Sequence, residues 1–455
     1  MNTPREHFAS RLGFIFMTAG CAIGLGNIWR FPYVAGENGG GLFVLIYILC
    51  LLFFGIPVLL MELALGRAGQ STYPGAFAKL RSPSGRFPWH KPAYLLFAGN
   101  LILLMFYTTV TGWLFFYAFD FIRMNEAVYS PGHFQHMLSS AGIQITAMLA
   151  ALAATVLICL GGVRKTVEKS IKYMMGGLFI LLLILVIRAL CQNGAMQGVK
   201  FFLLPDTSAL QGGNWIKIVH AAMSQAFFTL SLGIGSIAIC GSYIGKERSL
   251  LQEGLWIILL DTIVAVSAGL IIFPNCMAHG IDPGAGPELI FITLPKVFMS
   301  MPGGFFWGTL FFVFLGVAAL STLVAVFENL AAFGMDEFHW SRRKSCLTAG
   351  IIIALASLPC IFGFNLWQKI QPLGNGSTIL DLEDFIVSSN LLPLGALYLT
   401  IFCTTAAGWG TENFFKEVNT GKGRDFPVRL KNYLKFVIPV IIAVIWLLGL
   451  LEFFK

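Results

Sequence analysis

The sequence GCAIGLGN at residues 20–27 interrupts an apolar run that extends from residue 11 to residue 36. A helix over 11–22 would rise about 18 Å at 1.5 Å per residue, well short of a bilayer core of about 30 Å. The sequence FTLSLGIG at residues 228–235 lies in the same way near the middle of another apolar run. These two stretches predict two helices that break halfway across a membrane.

The composition of the whole chain is that of an integral membrane protein. Of its 455 residues, 57% are hydrophobic and only 11% are charged, whereas soluble chains carry roughly 25% charged residues. Eleven apolar segments are long enough to cross a bilayer as helices. In chain order, and numbered so below, these segments cover residues 11–36, 41–66, 92–123, 143–160, 168–191, 214–243, 253–276, 304–335, 346–363, 382–405 and 432–454.

The positive charge of the chain is unevenly distributed. A net charge of +8 is compatible with nucleic-acid binding, but most of the 30 Lys and Arg residues fall in loops on one side of the predicted membrane. Cytoplasmic loops are enriched in these residues. The pattern therefore predicts a multi-pass protein of the cell membrane that binds no nucleic acid. Its N-terminus would be cytoplasmic and, with eleven segments, its C-terminus would lie outside.

Glycines in a membrane helix can also serve close helix packing. Neighbouring polar residues favour a break instead. Asn27 and Arg30 lie beside the first stretch, and Gln225 and Thr229 lie in or near the second. Both stretches open a set of five segments, which predicts inverted repeats over about 11–191 and about 214–405, plus an extra helix over about 432–454. Unwound backbone exposes carbonyls and amides that can bind a cation or a carboxylate.

Four stretches carry a resemblance to a known family. They are REHFASRLGFIFMTAGCAIGLGNIWRFPYVAGENGGGLFVLIY, SQAFFTLSLGIGS, PELIFITLPKVF and WGTENFFKEVN. They resemble the neurotransmitter:sodium symporters, especially bacterial amino-acid members with the LeuT-type fold. The resemblance implies an all-α transporter with a 5+5 inverted repeat, discontinuous helices 1 and 6 and, here, eleven transmembrane helices.

The resemblance also implies two sodium sites. The first would use Ala22, Asn27, Thr229 and Asp261 together with the substrate carboxylate. The second would use Gly20, Ile23, Ala318, Ser321 and Thr322. Independently of the family, the last three residues recur at i, i+3 and i+4, which places them on one helix face. The alternative role of the Ser321 and Thr322 hydroxyls is to hydrogen-bond backbone carbonyls of their own helix.

The implied substrate pocket lies between the two breaks. Its residues would be Ala22, Gly24, Gly26, Leu103, Tyr107, Phe228, Thr229, Ser231, Ile234, Thr322 and Val326. Monoamine members carry an aspartate where this chain has Gly24, so an amino acid, which brings its own carboxylate, is favoured. The apolar walls favour neutral, hydrophobic or aromatic side chains, and another small zwitterion such as an osmolyte is the alternative.

Charged residues at either end resemble the gates of the family. Arg30 and Asp384, with Gln225 and the Phe228 ring, would close the outer side. Arg5 and Asp336, with Ser242 and Tyr243, would close the inner side, although each pair could instead be a fixed structural ion pair. In addition, Glu62 is expected to cap amides of an unwound segment.

Asp261 departs from the asparagine found in many relatives, and Ala265 stands where chloride-requiring members have a serine. A fixed carboxylate would offset one of two sodium charges, as chloride does elsewhere. We therefore expect two sodium ions and no chloride, although Asp261 could also take up a proton when sodium leaves. An intramembrane enzyme is disfavoured because the chain has neither an HExxH motif nor a P-loop, and a channel would lack coupling between sodium and substrate. The preferred amino acid and the oligomeric state stay open.

Overall fold

The computed structural model describes residues 8, 10–83, 85–208, 215–278, 289–374 and 376–453. Within these ranges the chain is helical and has no β-strand, as predicted for a membrane protein whose backbone polar groups must be satisfied within each span. The helices begin and end within a few residues of the predicted segments. Short helices in the loops connect them, among them Tyr73–Leu80, Pro131–Ser139, Ala195–Leu203 and Thr411–Val418.

Nine helices of the described residues are long and apolar enough to cross a membrane unbroken. They form segments 2 to 5 and 7 to 11: Gly41–Gly69, His90–Ile122, Ala141–Leu160, Val163–Leu190, Leu250–Ala278, Gly304–Phe338, Arg342–Phe362, Ile379–Thr404 and Val428–Leu451. Segment 1 becomes a tenth span when its two parts, Arg11–Ala22 and Gly26–Glu37, are counted together. These parts meet at 52°.

Segment 6 consists of two helices, Trp215–Thr229 and Ser236–Ser242, with six non-helical residues between them. Each helix is too short to cross a membrane alone. Ten spans are therefore found by length and composition, and the predicted eleventh depends on counting segment 6 as one interrupted span. The division into two inverted repeats stays a prediction.

Segments 3 and 8 form the centre of the bundle. In the most apolar part of each, 67% and 78% of the residues are buried inside the protein, against 17% in segment 11. The two central helices pack directly on each other, and segment 8 also packs on segments 1 and 5. Both broken segments thus lie beside a rigid scaffold, which fixes where their breaks can present polar groups.

Candidate functional site

The break in segment 1 lies at Ile23 and Gly24, where the backbone leaves the helix. Ile23 has ψ 101°, an extended value, and the helix resumes around Leu25. The Gly24 amide donates to the side-chain oxygen of Asn27 at 3.1 Å, so a side chain replaces the missing helical acceptor. The break predicted from the glycine-rich sequence is confirmed.

Two side chains from other segments satisfy the backbone that this break exposes. The Leu25 amide donates to the Tyr107 hydroxyl at 2.7 Å, and the Gln225 side-chain amide donates to the Gly26 carbonyl at 2.7 Å. All of these groups are buried. Buried backbone groups without a partner are costly. Both contacts therefore stabilise the break by pairing backbone groups that it exposes.

The break in segment 6 uses left-handed backbone conformations. Ser231, Gly233 and Gly235 have φ of 50°, 96° and 88°, a region that favours glycine. A side chain at Gly233 would also place its Cβ 2.4 Å from the Leu392 carbonyl oxygen. Glycine is therefore required there both by conformation and by space.

Glu62 of segment 2 caps the restart of segment 6, which confirms its predicted role. Its carboxylate accepts from the amides of Gly233 at 2.7 Å, Ile237 at 3.2 Å and Ala238 at 3.4 Å. The side chain is fully buried. Helix N-termini stabilise negative charge through their free amides, so this carboxylate and the break support each other.

A polar side chain of the scaffold holds the outgoing part of the same break. The Asn100 amide of segment 3 donates to the Ile234 carbonyl at 2.7 Å, while its oxygen accepts from Ser236 at 2.6 Å and from Asn329 at 3.2 Å. The contact joins segments 3, 6 and 8. Sequence reasoning missed Asn100, although a buried amide within an apolar helix was a visible signal.

Three of the four residues predicted for the first cation site meet at Asp261 of segment 7. Its carboxylate accepts from the Asn27 side-chain amide at 2.7 Å and from the Thr229 hydroxyl at 3.1 Å. The Tyr47 hydroxyl of segment 2, which sequence reasoning missed, also donates to it at 3.3 Å. The fourth residue, Ala22, lines the adjacent cavity. A single buried carboxylate thus lies beside both breaks.

The second predicted site brings all five of its residues together. The Thr322 hydroxyl lies 3.1 Å from the carbonyl oxygens of both Gly20 and Ile23. The Ser321 hydroxyl lies 3.4 Å and 3.5 Å from the same two oxygens and 2.8 Å from the Ala318 carbonyl. The break in segment 1 and one face of segment 8 therefore form a cluster of oxygen atoms.

This cluster has the chemistry of a site for a hard cation. All its ligating atoms are neutral oxygens, which suit a monovalent ion of this class. Ligands about 2.3–2.6 Å from such an ion would lie about 3.3–3.7 Å from one another in an octahedral shell. Four of the five spacings above, 3.1–3.5 Å, are close to that range.

A buried cavity lies between the two breaks and borders both polar clusters. Its free space is small, about 10 Å³, which is room for about one water molecule. Residues predicted for the substrate pocket form most of its wall: Ala22, Gly26, Leu103, Tyr107, Phe228, Ser231, Ile234 and Thr322. Cys21 and Leu392 complete the lining and had not been predicted.

The other predicted pocket residues, Gly24, Thr229 and Val326, are not part of this lining. Thr229 contacts Asp261 instead, and Val326 is fully buried in segment 8. Gly24 lies directly behind the cavity wall, because a Cβ there would be 2.1 Å from the Tyr107 hydroxyl and 2.4 Å from that of Thr322. These three residues therefore do not form part of the cavity surface.

The two residues predicted for the outer gate, Arg30 and Asp384, are not in contact in this conformation. The Arg30 guanidinium lies 4.6 Å from the Phe228 ring centroid, a cation–π distance, and 3.5 Å from Gln225. Asp384 instead accepts from the Ser388 hydroxyl at 2.5 Å. The predicted neighbours of Arg30 are thus in place, while its predicted partner is not.

The predicted inner contact can be described only in part, because Arg5 lies outside the described residues. Asp336 accepts from the Thr72 amide at 2.9 Å. The Ser242 hydroxyl donates within its own helix to Ile239 at 2.7 Å. Asp336 and Ser242 are therefore engaged with backbone groups near this end of the bundle.

Tyr243 takes part in an ion-pair network that sequence reasoning missed. Its hydroxyl lies 3.1 Å from the Glu328 carboxylate, which also accepts from Arg342 at 2.5 and 3.0 Å. Glu328 is fully buried in segment 8. Buried charges are normally paired, so an acidic residue within an apolar helix was the available signal.

Comparisons with known proteins agree with this geometry. The family model described as "Sodium:neurotransmitter symporter family" matches residues 5–127 and 131–455. An uncharacterised sodium-dependent transporter of Bacillus subtilis, YhdH, is 34% identical over 98% of both chains. One from Haemophilus influenzae is 32% identical over 99% of both. The crystal structure of MhsT in complex with L-phenylalanine has a TM-score of 0.88 and 37% identity, with 98% of this chain and 99% of that chain covered.

Proposed function

The chain belongs to the sodium:neurotransmitter symporter family and is a sodium-dependent transporter with a LeuT-type fold, and from this premise we propose that it carries neutral L-amino acids. The preferred substrates would have hydrophobic or aromatic side chains. Transport would be coupled to two sodium ions and independent of chloride. Because the family consists of secondary transporters, an enzymatic activity is excluded.

The observation that carries the proposal is the cavity between the two breaks. Tyr107, Ser231 and Thr322 supply hydroxyl groups, whereas Leu103, Ile234 and Leu392 supply apolar surface. No charged side chain is among the described residues that line it. A charged substrate side chain would find no partner there, while burial of apolar surface is favourable by about 25 cal/mol per Å².

The carboxylate of an amino acid would fit at the polar end of this cavity. The Tyr107 hydroxyl accepts from the Leu25 amide, so its own proton can be donated to a substrate oxygen in place of its present hydroxyl neighbour, Thr322. That end also faces the break in segment 1, whose Ala22 lies in the lining. A bound carboxylate would complete the first cation site, which would make sodium and substrate binding mutually favourable.

Alternating access follows if the ions and the substrate bind one conformation better than the other. The second oxygen cluster joins segment 1, through the Gly20 and Ile23 carbonyls, to Ser321 and Thr322 of segment 8. An ion bound there would fasten the broken segment to the scaffold. Its release would free the Arg11–Ala22 half to move.

The similarity to MhsT supports the aromatic end of the proposed range, because that protein was solved in complex with L-phenylalanine. In the present chain a branched aliphatic side chain, Ile234, forms part of the cavity wall. We expect the cavity to widen when an aromatic substrate binds, because its present free space is only about 10 Å³. An osmolyte, the alternative substrate, would be smaller and would need a cavity with a more polar wall.

The distribution of basic residues gives the proposed topology. Basic residues concentrate in the loops assigned to the cytoplasm, so we place the protein in the cell membrane with its N-terminus inside. With eleven spans its C-terminus would be outside. Labelling of a cysteine added to the loop before segment 11, in intact and in permeabilised cells, checks this orientation.

Uptake into proteoliposomes tests the transport proposal. Labelled L-phenylalanine is expected to accumulate under an inward sodium gradient and not under a potassium gradient. Competition by each of the twenty amino acids and by glycine betaine then ranks the substrates. Equal binding in sodium and potassium, or competition by betaine alone, would contradict the proposal. Tyr107→Phe should abolish binding and, because the buried Leu25 amide then loses its acceptor, also lower the unfolding temperature.

A further inference from the structure

Glu383 of segment 10 is a buried acid whose carboxyl group has no hydrogen-bond partner among the described residues. Its side chain lies in the interior, with 4% of the residue exposed, and neither oxygen accepts or donates a hydrogen bond. Other buried acids in the described chain do have partners. These are Glu62, Asp120, Glu168, Glu253, Asp261, Glu328 and Glu417.

Among the described residues, no cation faces this carboxyl group. The helix Ile379–Asp384 packs against segment 3 and against Leu358–Phe362 of segment 9. The Cys360 thiol of segment 9 lies beside this carboxyl group as a weak donor, although the contact falls short of hydrogen-bond geometry. The charged groups on the same helix are Asp381 and Asp384, which have the same sign as an ionised Glu383.

The protonation state of Glu383 follows from these surroundings. A carboxylate without a partner in an apolar interior is far less stable than the neutral acid. Glu383 is therefore neutral in this conformation, and it can ionise only if water or a cation reaches it.

Glu383 lies next to the predicted outer gate, so protonation of its carboxyl group can be coupled to the opening of that gate. Asp384 follows it directly and is partly exposed, and both Asp384 and Arg30 lie close enough to Tyr33 to act on its hydroxyl electrostatically. The next turn, Phe385–Leu391, has the wide hydrogen-bonding pattern of a π-helix, which often marks functional sites. A movement of this helix toward solvent would expose Glu383 together with Asp384.

We propose that Glu383 is a proton-binding site that links the outer side of the transporter to pH. The carboxyl group holds a proton while the outer end of segment 10 is packed. When that end opens, the O–H bond breaks, the proton passes to external water and a carboxylate remains; closure requires a proton to return. Acidic medium thus favours the closed outer side.

Infrared spectroscopy tests the proton directly. The full-length protein in lipid bilayers at neutral pH is expected to show the carbonyl stretch of a protonated carboxylic acid, and Glu383→Gln should remove this band. Glu412→Gln is the matched control, because the Glu412 side chain is 93% exposed. A band that persists unchanged in Glu383→Gln would overturn the proposal.

A second variant keeps the test decisive should Glu383→Gln fold poorly. Cys360→Ser replaces a weak thiol donor with a hydroxyl, which is a stronger one. A hydrogen bond to the acid weakens its C=O bond, so the band is expected to move to lower frequency. A band that does not respond to this change would place the protonated acid elsewhere and contradict the assignment.

The functional consequence, which rests on the proposed symport, is tested by the pH dependence of sodium-dependent phenylalanine exchange. Release to the outside should slow several-fold between pH 8 and pH 6 in the native protein. Glu383→Gln should be slow at both values. If the variant shows the native pH profile, the proton site is refuted while symport stands; if the native protein lacks sodium-dependent binding, symport fails, and the infrared result remains valid.

Discussion

The Asn27 side chain donates to the Asp261 carboxylate over 2.7 Å and accepts from the Gly24 amide over 3.1 Å. One amide thus connects the break in segment 1 to the unbroken helix of segment 7. The carboxylate is fully buried, and its hydrogen-bonding partners are neutral groups, namely Asn27, Thr229 and Tyr47. Bound cations would balance the negative charge of the Asp261 carboxylate.

Chloride should therefore be dispensable for transport. Two sodium ions and a zwitterion bring two positive charges into a poorly solvating site, and the Asp261 carboxylate offsets one of them. Replacing chloride by gluconate in a proteoliposome assay should leave the initial rate of phenylalanine uptake nearly unchanged. A loss of most of the uptake would contradict this role.

The converse variant, Asp261→Asn, removes the charge and keeps the shape. We expect the sodium concentration for half-maximal binding to rise about tenfold or more, equivalent to about 1.4 kcal/mol. Asp206→Asn is the control, because Asp206 lies in a loop and is fully exposed. An unchanged sodium dependence in Asp261→Asn would place the cation away from this carboxylate.

The oxygen cluster on segment 8 should bind sodium through hydroxyl groups. Ser321→Ala removes a hydroxyl that lies 3.4 and 3.5 Å from the Gly20 and Ile23 carbonyls, and it leaves the cavity lining intact. We expect weaker sodium activation, by about tenfold, with phenylalanine binding restored at high sodium. The change is measured by titrating sodium against substrate binding.

Ser357→Ala is the matched control for this site. Ser357 is equally buried, and its hydroxyl donates to the Ile353 carbonyl of its own helix at 2.8 Å. Its loss should leave sodium activation unaltered. Equal effects of both variants would mean that Ser321 contributes only to helix packing.

Gly24 should tolerate no side chain. The added Cβ of Gly24→Ala would lie 2.1 Å from the Tyr107 hydroxyl and 2.4 Å from that of Thr322, far inside van der Waals contact. Displacing Tyr107 would also break its bond to the Leu25 amide. We expect phenylalanine binding to fall at least tenfold, as measured by equilibrium binding in sodium.

Gly177→Ala is the control for this glycine, because nothing lies within 4 Å of a Cβ at Gly177. Alanine is favoured over glycine in a helix by about 1 kcal/mol. That variant should bind substrate normally and unfold at the same temperature or slightly higher. Normal binding by Gly24→Ala would show that Tyr107 can move without harm.

The fold was largely predictable because its signals are local. Runs of about 20 apolar residues fix the helices, and glycines next to Asn27 or Thr229 indicate where two of them break. Spacing on one helix also correctly grouped Ser321 with Thr322. The oxygen sites then followed from the family resemblance, since their other halves come from a distant segment.

Contacts between segments were harder to predict. Tyr47 and Leu392 reach the site from helices whose rotation the sequence does not fix, because apolar residues cover every face of a membrane helix. The Glu328–Arg342 ion pair had a sequence signal in its acidic member, but no pattern identified the partner. The open Arg30–Asp384 contact depends on conformation, which a motif cannot specify.

The stability of the break in segment 6 should depend on the charge of Glu62. The carboxylate accepts from three amides, those of Gly233, Ile237 and Ala238. In Glu62→Gln one oxygen becomes an NH₂ group that faces N–H donors, so at least one buried amide loses its acceptor. Each such loss costs about 1–3 kcal/mol, and a lower unfolding temperature with little sodium-dependent uptake is expected. Glu412→Gln, on an exposed side chain, should change neither; native stability and uptake in Glu62→Gln would show that the break is held by its glycines and by Asn100 alone.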